Sequence, residues 1–182
     1  VECTDLENIV KKSKKIKIFL SPQQKAIAKK WFGVSRFVYN QTIEYLKEPE
    51  NKANWKAIKT GILNSLPDWC SSVPYQIKSI AIKDACQAVS KAKKDYKKTG
   101  KFNNCRFRSR KSLIQSCYIP KSAINEKGIY YTKLGNLKYG ESLPENILDS
   151  RLVCDAGDYY LTIPIEIKQY KSDNQGRVVA LD

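Results

Sequence analysis

A single short strand precedes a long helical block, and this order constrains the possible folds more than any other feature of the sequence. Lys15 to Leu20 (KIKIFL) alternates polar and apolar residues, which is typical of a half-buried strand. Ser21-Pro22 follows at once, and serine at an N-cap with proline at the first helical position predicts a helix start. The strand has no partner among the helices that follow, so we expect it to join a sheet formed later in the chain.

Apolar periodicity and its interruptions predict four helices within residues 21–98, at about 22–32, 34–47, 51–66 and 74–98. Gly33 is placed to end the first of these helices, and Pro49 and Pro67 stop the next two. In the middle of the fourth helix, the apolar stripe consists of small side chains, such as Ala81 and Ala88. Another helix or a nucleic-acid backbone could therefore approach this helix closely.

Short β-like runs with turn signals replace the helical pattern from Ser112 onward, and they predict strands at about 113–119, 128–134, 147–154 and 159–167. Ala156-Gly157-Asp158 is typical of a tight hairpin connection between the last two strands. We therefore predict an α+β fold, in which a small antiparallel β-barrel or sheet is interrupted after its first strand by a four-helix insertion. Residues 168–176 have the composition of a linker, and residues 178–181 are predicted to start a new buried strand.

Positive charge is concentrated between Lys91 and Lys111, where ten cations accompany one acid, Asp95. The whole chain has 33 lysines and arginines, 18 acids and a net charge of +15. Like charges at helical spacing repel, so a run this one-sided favours a polyanionic partner over a solvated helix face. An anionic membrane surface fits the overall charge as well. Nucleic acid is favoured because three aromatic residues that can stack on bases lie among the cations: Tyr96, Phe102 and Phe107.

Composition argues against several other classes of protein. No apolar run approaches the roughly 20 residues of a membrane span, and no signal peptide opens the chain, so we expect a soluble, cytoplasmic protein with no membrane partner.

The six cysteines form no CxxC pair and histidine is absent, which argues against a zinc site in this chain. The even number of cysteines is also compatible with disulfide bonds. Reduced thiols are the better interpretation, because the chain is basic and has no secretion signal. The lack of methionine and the stop at Asp182 lead us to expect that both ends belong to a longer protein.

Four segments in a fixed order carry a resemblance to one family: IKIFLSPQQK (residues 16–25), SRFVYNQTIEY (35–45), CRFRSRK (105–111) and RVVALD (177–182). In their order and spacing they resemble the amino-terminal half of the transposon-encoded TnpB (OrfB) proteins, which share ancestry with compact RNA-guided CRISPR nucleases. The RFVYN segment is the most specific of the four. Cys105 departs from the family pattern, which often has proline at this place.

The resemblance implies a β-barrel called the wedge domain, interrupted by a helical recognition domain and followed by a RuvC-like nuclease domain of RNase H fold. The wedge barrel would be similar to an oligonucleotide-binding fold. The implied boundaries are a disordered lead-in at 1–14, a first barrel strand at 15–20, a helical recognition insertion at 21–98, the rest of the barrel at 99–170 with a basic loop at 99–111, and the linker and first RuvC-like strand at 171–182.

Asp182 matches the metal-binding catalytic aspartate of the family, so the resemblance implies a Mg²⁺ site in the complete nuclease domain. Phosphodiester hydrolysis by this fold needs two divalent metals held by several carboxylates, and one aspartate cannot hold them. The other carboxylates and the zinc-binding insert of the family would lie after residue 182. We therefore predict that residues 1–182 have no nuclease activity on their own.

The basic loop is predicted to grip phosphates. Arg106, Arg108 and Arg110 alternate along an extended segment and would point one way, with Phe107 on the other side. Guanidinium groups suit this role because they bind phosphates through two parallel hydrogen bonds. Neighbouring lysines would extend the same contact with the backbone of RNA or of an RNA–DNA heteroduplex: Lys94, Lys97, Lys98, Lys101 and Lys111.

Two further groups of residues are candidates for nucleic-acid contact. Arg36 and Asn40 would either touch nucleic acid or pack the helices against the barrel, while Phe37 and Val38 belong to the core by default. A patch that reads DNA bases is predicted around the start of the fourth helix, since its side chains offer groove-sized donors and acceptors. Its members are Tyr75, Gln76, Ser79 and Lys83, with Tyr118 on the adjoining strand. Helix capping and ordinary surface polarity are the alternative explanation of that patch.

Three functions stay open on the sequence. The first is the amino-terminal part of an RNA-guided DNA endonuclease, with a guide RNA and target double-stranded DNA as partners. The second is a catalytically inactive relative that acts as a DNA-binding repressor or transposition regulator, which would lack the carboxylates that follow Asp182. The third is an RNA-binding protein with an oligonucleotide-binding barrel, for which the RVVALD segment would need another explanation.

Overall fold

The computed structural model describes residues 8–169, and this part of the chain forms a mixed α+β structure. It contains four α-helices: α1 Pro22–Tyr45, α2 Trp55–Asn64, α3 Tyr75–Thr99 and α4 Tyr131–Leu134. It also contains seven strands: β1 Asn8–Phe19, β2 Ile114–Ile119, β3 Ile124–Asn125, β4 Gly128–Ile129, β5 Lys138–Tyr139, β6 Ser150–Asp155 and β7 Asp158–Gln169. The predicted strand at 178–181 and the predicted metal ligand Asp182 lie outside the described residues.

The first strand joins the later sheet, as predicted, but it starts earlier than expected. β1 pairs antiparallel with β7 from Asn8 opposite Gln169 to Ile18 opposite Tyr159, and its end pairs with β5. The predicted disordered lead-in is therefore wrong for residues 8–14, which lie within this strand. The polar composition of residues 8–14 suggested disorder, but the backbone hydrogen bonds that pair two strands do not depend on apolar side chains.

A single helix replaces the two that were predicted on either side of Gly33. Ser21 caps α1 through a capping box with Gln24, which confirms the predicted start. The helix then continues for 24 residues to Tyr45 without a break. Glycine costs about 1 kcal/mol relative to alanine inside a helix. Burial of Phe32 and Val34 on either side of Gly33 outweighs this cost, since both side chains belong to the core.

The other helical predictions need smaller changes. α2 spans Trp55–Asn64 and is shorter than the predicted helix at 51–66, whereas α3 at Tyr75–Thr99 agrees closely with the prediction. Residues 21–98 therefore hold three α-helices and a short 3-10 turn at Asp68–Cys70, rather than four helices. α3 packs on α1, and Ala81 and Ala85 are buried on it. The small stripe of α3 thus accommodates a neighbouring helix over this part of its length.

The main sheet has five antiparallel strands in the order β2-β6-β7-β1-β5. β2 and β5 lie at its edges, so within residues 8–169 the sheet is open and does not close into a barrel. The predicted hairpin between β6 and β7 is confirmed. Ala156 and Gly157 both have positive φ, at 48° and 95°, which suits a two-residue turn whose twist matches that of the strands.

The strand predicted at 128–134 is wrong for most of its length. Gly128 and Ile129 form the two-residue strand β4, which pairs with β3, and the chain then enters the short helix α4. Tyr130 causes the change of direction, because it adopts a left-handed backbone conformation with φ of 44°. An edge-to-face contact between its ring and that of Trp31, with centroids 5.5 Å apart, helps to hold this conformation.

One face of the sheet packs into the core against α1. Ile16, Leu152 and Leu161 are fully buried on three neighbouring strands. Phe32 of α1 stacks on Tyr159 of β7, with ring centroids 6.4 Å apart. The five cysteines in the described part of the chain are free thiols. None of the helices between residues 8 and 169 combines the length and apolarity that a membrane span requires.

Candidate nucleic-acid interface

The carboxyl-terminal half of α3 presents a face of lysines. Lys91, Lys94 and Lys98 are exposed and lie three or four residues apart, so they follow one another along one face of the helix. Together with Lys83 they line a groove of about 460 Å³ beside Trp55 of α2. Asp95 lines the same groove, yet none of these four lysines forms an ion pair within residues 8–169. We call Lys83, Lys91, Lys94 and Lys98 the lysine face.

The sheet gives a contrasting picture of positive charge. Three lysines of β1 each contact an acid across the surface, at 3.0 to 3.1 Å: Lys14 with Glu141, Lys15 with Asp155, and Lys17 with Asp158. The Lys15 ammonium also lies 4.0 Å from the centroid of the Tyr160 ring. Charge on this part of the molecule is therefore balanced internally, whereas charge on the lysine face is not.

The basic loop begins where α3 ends. Gly100 has a φ of 67°, which glycine adopts at no steric cost, and its N–H donates to the Tyr96 carbonyl at 2.8 Å. Thr99 caps the same turn, since its hydroxyl donates to the Asp95 carbonyl and accepts from the Lys101 N–H. The chain then turns away from the helix axis, and residues 101–107 have no regular secondary structure.

Arg108 and Asn40 hold the basic loop against α1. The Asn40 amide accepts from the Arg108 N–H at 2.8 Å and donates to the Arg108 carbonyl at 3.0 Å. The Arg108 guanidinium lies 3.8 Å from the centroid of the Tyr39 ring, and its positive charge partly opposes the rise in the pKa of Tyr39 that burial causes. Both predicted nucleic-acid contacts are thus engaged within the chain, and Asn40 acts on the loop backbone rather than on solvent.

A buried carboxylate fixes the other side of Arg108. Asp84 on α3 is only 12% exposed, and it accepts from Arg108 at 3.3 Å and from Arg151 of β6 at 2.8 and 2.9 Å. This cluster ties α3, the sheet and the basic loop together. Neither Asp84 nor Arg151 stood out as a site residue in the sequence. The sequence did contain a signal for this cluster: Asp84 lies beside the stripe of small apolar residues on α3. An acid buried at such a position requires a cation beside it.

Arg36 and Arg110 bring two positive charges together. The Arg36 guanidinium donates to the Gln115 amide oxygen at 2.8 Å, and Gln115 in turn donates to the Ser109 and Ser112 carbonyls. Partial burial lowers the pKa of Arg36, and the charge of Arg110 lowers it further. Arg110 is exposed and has no acidic partner among the described residues. Repulsion of this kind is relieved when an anion binds.

A pocket of about 410 Å³ opens beside these arginines. Its lining includes Arg36, Arg108, the ring of Phe107 and three serines, Ser109, Ser112 and Ser116, but no carboxylate. Guanidinium N–H groups and hydroxyls are all hydrogen-bond donors, so the pocket has the chemistry of an anion site. We call it the arginine pocket.

The three arginines of the loop therefore do not point one way, contrary to the prediction. Arg106 and Arg110 are exposed, as is Phe107, while Arg108 is turned inward to Asp84. An extended segment would have placed all three alike, but Asn40 bonds to the backbone at residue 108 and interrupts that geometry. The lysines predicted with them are all exposed: Lys94, Lys97, Lys98, Lys101 and Lys111.

The predicted DNA-reading patch is not assembled as a unit. Ser79 is only 3% exposed, and its carbonyl accepts from the Trp55 indole at 2.9 Å, so this residue supports the helix packing instead. Tyr75 is exposed, and Gln76 accepts from the Tyr130 hydroxyl at 3.3 Å. Tyr75, Ser79 and Lys83 are four residues apart and lie on one side of α3, but burial of Ser79 separates the other two, and sequence spacing alone did not reveal this burial.

Lys83 and Tyr118 do come together. Both line a cleft of about 530 Å³ between α3 and the exposed face of the sheet, which also includes Gln87, Arg151 and Thr162. Burial and a hydrogen bond with the Asp149 carboxylate raise the pKa of Tyr118 to about 12, so its hydroxyl stays protonated at neutral pH. Tyr75, Gln76 and Ser79 do not line this cleft. Between residues 8 and 169 there is no cluster of three or more acidic or thiol side chains that could hold a metal ion.

Residues 8–49 match a family model for the helix-turn-helix domain of the OrfB proteins of IS605. The amino-terminal region of this chain is similar to that of the OrfB family. This similarity indicates a DNA-binding protein associated with a transposon. The matched residues include β1 and the uninterrupted helix α1. A comparison with curated proteins found no match.

Proposed function

We propose that this chain is the nucleic-acid-binding, amino-terminal portion of an RNA-guided DNA endonuclease of a transposon. The observation that carries the proposal is the distribution of charge. The lysines of β1 are paired with acids, whereas the lysine face and the exposed arginines of the basic loop have no acidic partner among residues 8–169. Unpaired cations on α3 and in the adjoining basic loop suit a polyanion, because binding releases the counterions of the phosphate backbone.

The arginine pocket supports a direct contact with phosphates. One nitrogen of Arg36 is used by Gln115, and a guanidinium group has five N–H donors, so others remain for a ligand. Arg110 adds charge nearby, and the Ser109 hydroxyl, which accepts from the Lys111 N–H, keeps its own hydrogen for a ligand. A strand that follows the basic loop would thus meet phosphate donors at the pocket and long-range attraction from the lysine face. These contacts fix position on a backbone without reading its sequence.

The finer parts of the proposal rest on the family resemblance. A guide RNA would select the DNA target by base pairing. The sheet of residues 8–169 would belong to the wedge domain. The cleft that contains Lys83 and Tyr118 is the place where a short motif in duplex DNA would be read, since α3 and the strands β2, β6 and β7 all contribute donors or acceptors to its lining. Asp182 would supply one carboxylate of the Mg²⁺ site in the complete nuclease domain, and residues 1–182 alone would not cut DNA.

A binding titration across salt concentrations tests the proposal. The chain is titrated into a labelled structured RNA and, separately, a labelled DNA duplex, and the logarithm of the affinity is plotted against that of the salt concentration. Changing both Arg106 and Arg110 to glutamine should flatten this slope by about 2, because each substitution removes one cation from the phosphate backbone. Changing Lys15 and Lys17, two exposed lysines of β1 that are each paired with an acid, to glutamine is the matched control and should leave the slope unchanged.

The possible outcomes separate the candidate functions. An unchanged slope in the double arginine variant would remove the basic loop from the interface and would overturn the proposal. Binding to duplex DNA without binding to structured RNA would favour the DNA-binding regulator over the RNA-guided nuclease. Steep salt dependence with both ligands, weakened in the arginine variant and kept in the lysine control, is the result that we expect.

A further inference from the structure

An apolar pocket lies beside the basic loop, on the side away from the lysine face. It has a volume of about 440 Å³ and is formed by the carboxyl-terminal ends of α1 and α3, with loop residues 102–105 as its third wall. Its apolar lining comes mainly from six residues: Ile43, Leu46, Val89, Ala92, Tyr96 and Phe102. Its two aromatic residues, Tyr96 and Phe102, are exposed to solvent, so they do not serve mainly to pack the core.

The two rings are unusually open for their size. Phe102 is 75% exposed and Tyr96 is 51% exposed. Their centroids lie 6.3 Å apart and their planes are nearly perpendicular, at 82°, so the edge of one ring meets one face of the other, and this contact leaves at least one face of each ring uncovered. Aromatic side chains usually gain stability by burying such surface. Two exposed rings beside a pocket are therefore a platform on which a flat ligand can stack.

The rim of the pocket is polar and positively charged. Asn103 and Asn104 are exposed, and neither amide hydrogen-bonds to the described part of the chain. An amide carries both a donor and an acceptor, which matches the edge of a nucleobase. Lys93 and Lys47 also line the pocket, and no acid does. Lys47 contacts Glu44 at 2.6 Å, so Lys93 is the cation of this rim without an acidic partner among the described residues.

We propose that this pocket takes an unpaired base of a bound RNA. The base would stack on the ring of Phe102 or Tyr96, its edge would meet the amides of Asn103 and Asn104, and its phosphate would lie near Lys93. The bases of a duplex are stacked and paired, so only an unpaired base can enter, and single-stranded loops of RNA present such bases. This inference rests on the proposed function and adds to it a specific type of contact. We call the site the base pocket.

The base pocket and the arginine pocket adjoin each other through one pair of residues. Lys47, on the rim of the base pocket, lies 4.6 Å from the ring centroid of Phe107, and Phe107 lines the arginine pocket. One RNA strand that follows the basic loop can therefore place a phosphate in the arginine pocket and a base in the base pocket. Charge and stacking would then act on the same strand at neighbouring places.

Binding of two labelled RNAs by the whole 182-residue chain tests the base pocket. One RNA is a hairpin with an unpaired loop, and the other is a fully paired duplex of the same length. Phe102→Ala should weaken binding of the hairpin by about 5-fold to 150-fold, the range expected when stacking on one base is removed. Tyr96→Ala should act in the same direction. Binding of the duplex and the salt slope for both RNAs should stay unchanged.

Two control variants keep the test specific. Phe102→Tyr retains a ring and should keep hairpin affinity within about twofold of the original chain. Phe19→Ala removes an aromatic residue of similar character, 49% exposed on β1 and not part of the pocket lining, and should have no effect on either RNA. A fluorescent base analogue in the hairpin loop gives a direct readout, since stacking on Phe102 should quench its emission and Phe102→Ala should restore it.

The results distinguish failure of this inference from failure of the proposed function. If the original chain binds neither RNA in a salt-dependent manner, the proposed function fails. If it binds both RNAs, but Phe102→Ala and Tyr96→Ala leave hairpin affinity unchanged, only the base pocket is overturned. An equal loss for hairpin and duplex would also overturn it, because an unpaired base would not be the group recognised. A loss with single-stranded DNA but not with the RNA hairpin would overturn the assignment to RNA.

Discussion

The two halves of α3 differ more sharply than any other neighbouring regions of the molecule. All of its buried residues lie in the first half: Ile77, Ser79, Ala81, Ile82, Ala85 and Cys86. The second half has no buried residue and carries five lysines: Lys91, Lys93, Lys94, Lys97 and Lys98. One continuous helix therefore serves first as part of the core and then as a charged surface. The change in composition along it marks where packing ends and the proposed interface begins.

This difference implies that the second half depends on the first for its helical structure. A short helix with like charges one turn apart is marginal by itself, because starting a helix is costly and repulsion opposes its growth. The buried half supplies that start through tertiary packing. Lysines near the carboxyl end are also favoured by the helix dipole, and Gly100 ends the helix with a left-handed residue. The exposed lysines of the second half are thus held in place by the buried residues of the first half.

The largest expected effect of a substitution in α3 is in its buried half. Ile82→Ala should lower the free energy of unfolding by about 2 to 5 kcal/mol, since Ile82 is fully buried and its truncation leaves a cavity. Lys94→Ala, in the exposed half, should change the same quantity by less than about 0.5 kcal/mol. Urea denaturation followed by circular dichroism measures both. Similar losses in the two variants would mean that the second half is packed as well, and the two halves would then not differ in role.

A smaller effect is expected from the two acids of α3, one in each half. Asp84→Asn should cost about 1 to 3 kcal/mol of stability, because Asp84 is nearly buried between Arg108 and Arg151, whose partial exposure moderates the loss. Asp95→Asn is the matched control and should change stability by less than about 0.5 kcal/mol, since Asp95 forms no ion pair within residues 8–169. Thermal denaturation of the two variants compares them directly, and equal shifts in Tm would contradict a structural role for the Asp84 cluster.

Local signals in the sequence were enough to predict much of this architecture. The capping box at Ser21, the limits of α3 and the hairpin at Ala156-Gly157 all follow from chemistry within a few residues. Gly33 was misleading because its effect on α1 depends on neighbours that become buried only in the folded chain. The left-handed Tyr130 has no local signal at all, since tyrosine rarely adopts that conformation. Contacts distant in sequence decided both cases.

The candidate interface was predictable in its charge but not in its geometry. The concentration of cations between Lys91 and Lys111 is evident in the sequence, and most of those cations do lie at the surface. Arg108 could not be separated from Arg106 and Arg110 by its position in an alternating run. Its inward orientation depends on Asn40 and Asp84, which are 68 and 24 residues away in the chain. A pattern of alternating residues predicts direction only where the backbone is regular.

The smallest expected change in stability accompanies the largest removal of charge. Changing Lys91, Lys94 and Lys98 together to glutamine should alter the free energy of unfolding by less than about 0.5 kcal/mol, because these charges are exposed and repel one another. The same variant should flatten the salt dependence of duplex DNA binding by roughly 2 to 3 units on a logarithmic plot, since each neutralised phosphate contributes about 0.9 to the slope. A fluorescence anisotropy titration at several salt concentrations measures this slope.

The matched control is a second set of three lysines with the same total charge. Lys14, Lys15 and Lys17 are each paired with an acid, so changing them to glutamine removes three charges without removing unpaired cations. If net charge alone governed binding, the two triple variants would flatten the slope equally. If the lysine face contacts the backbone, only the α3 variant will do so, because the acids beside β1 already neutralise the charges there. The comparison thus separates a positioned interface from a generally basic protein, which the sequence alone could not do.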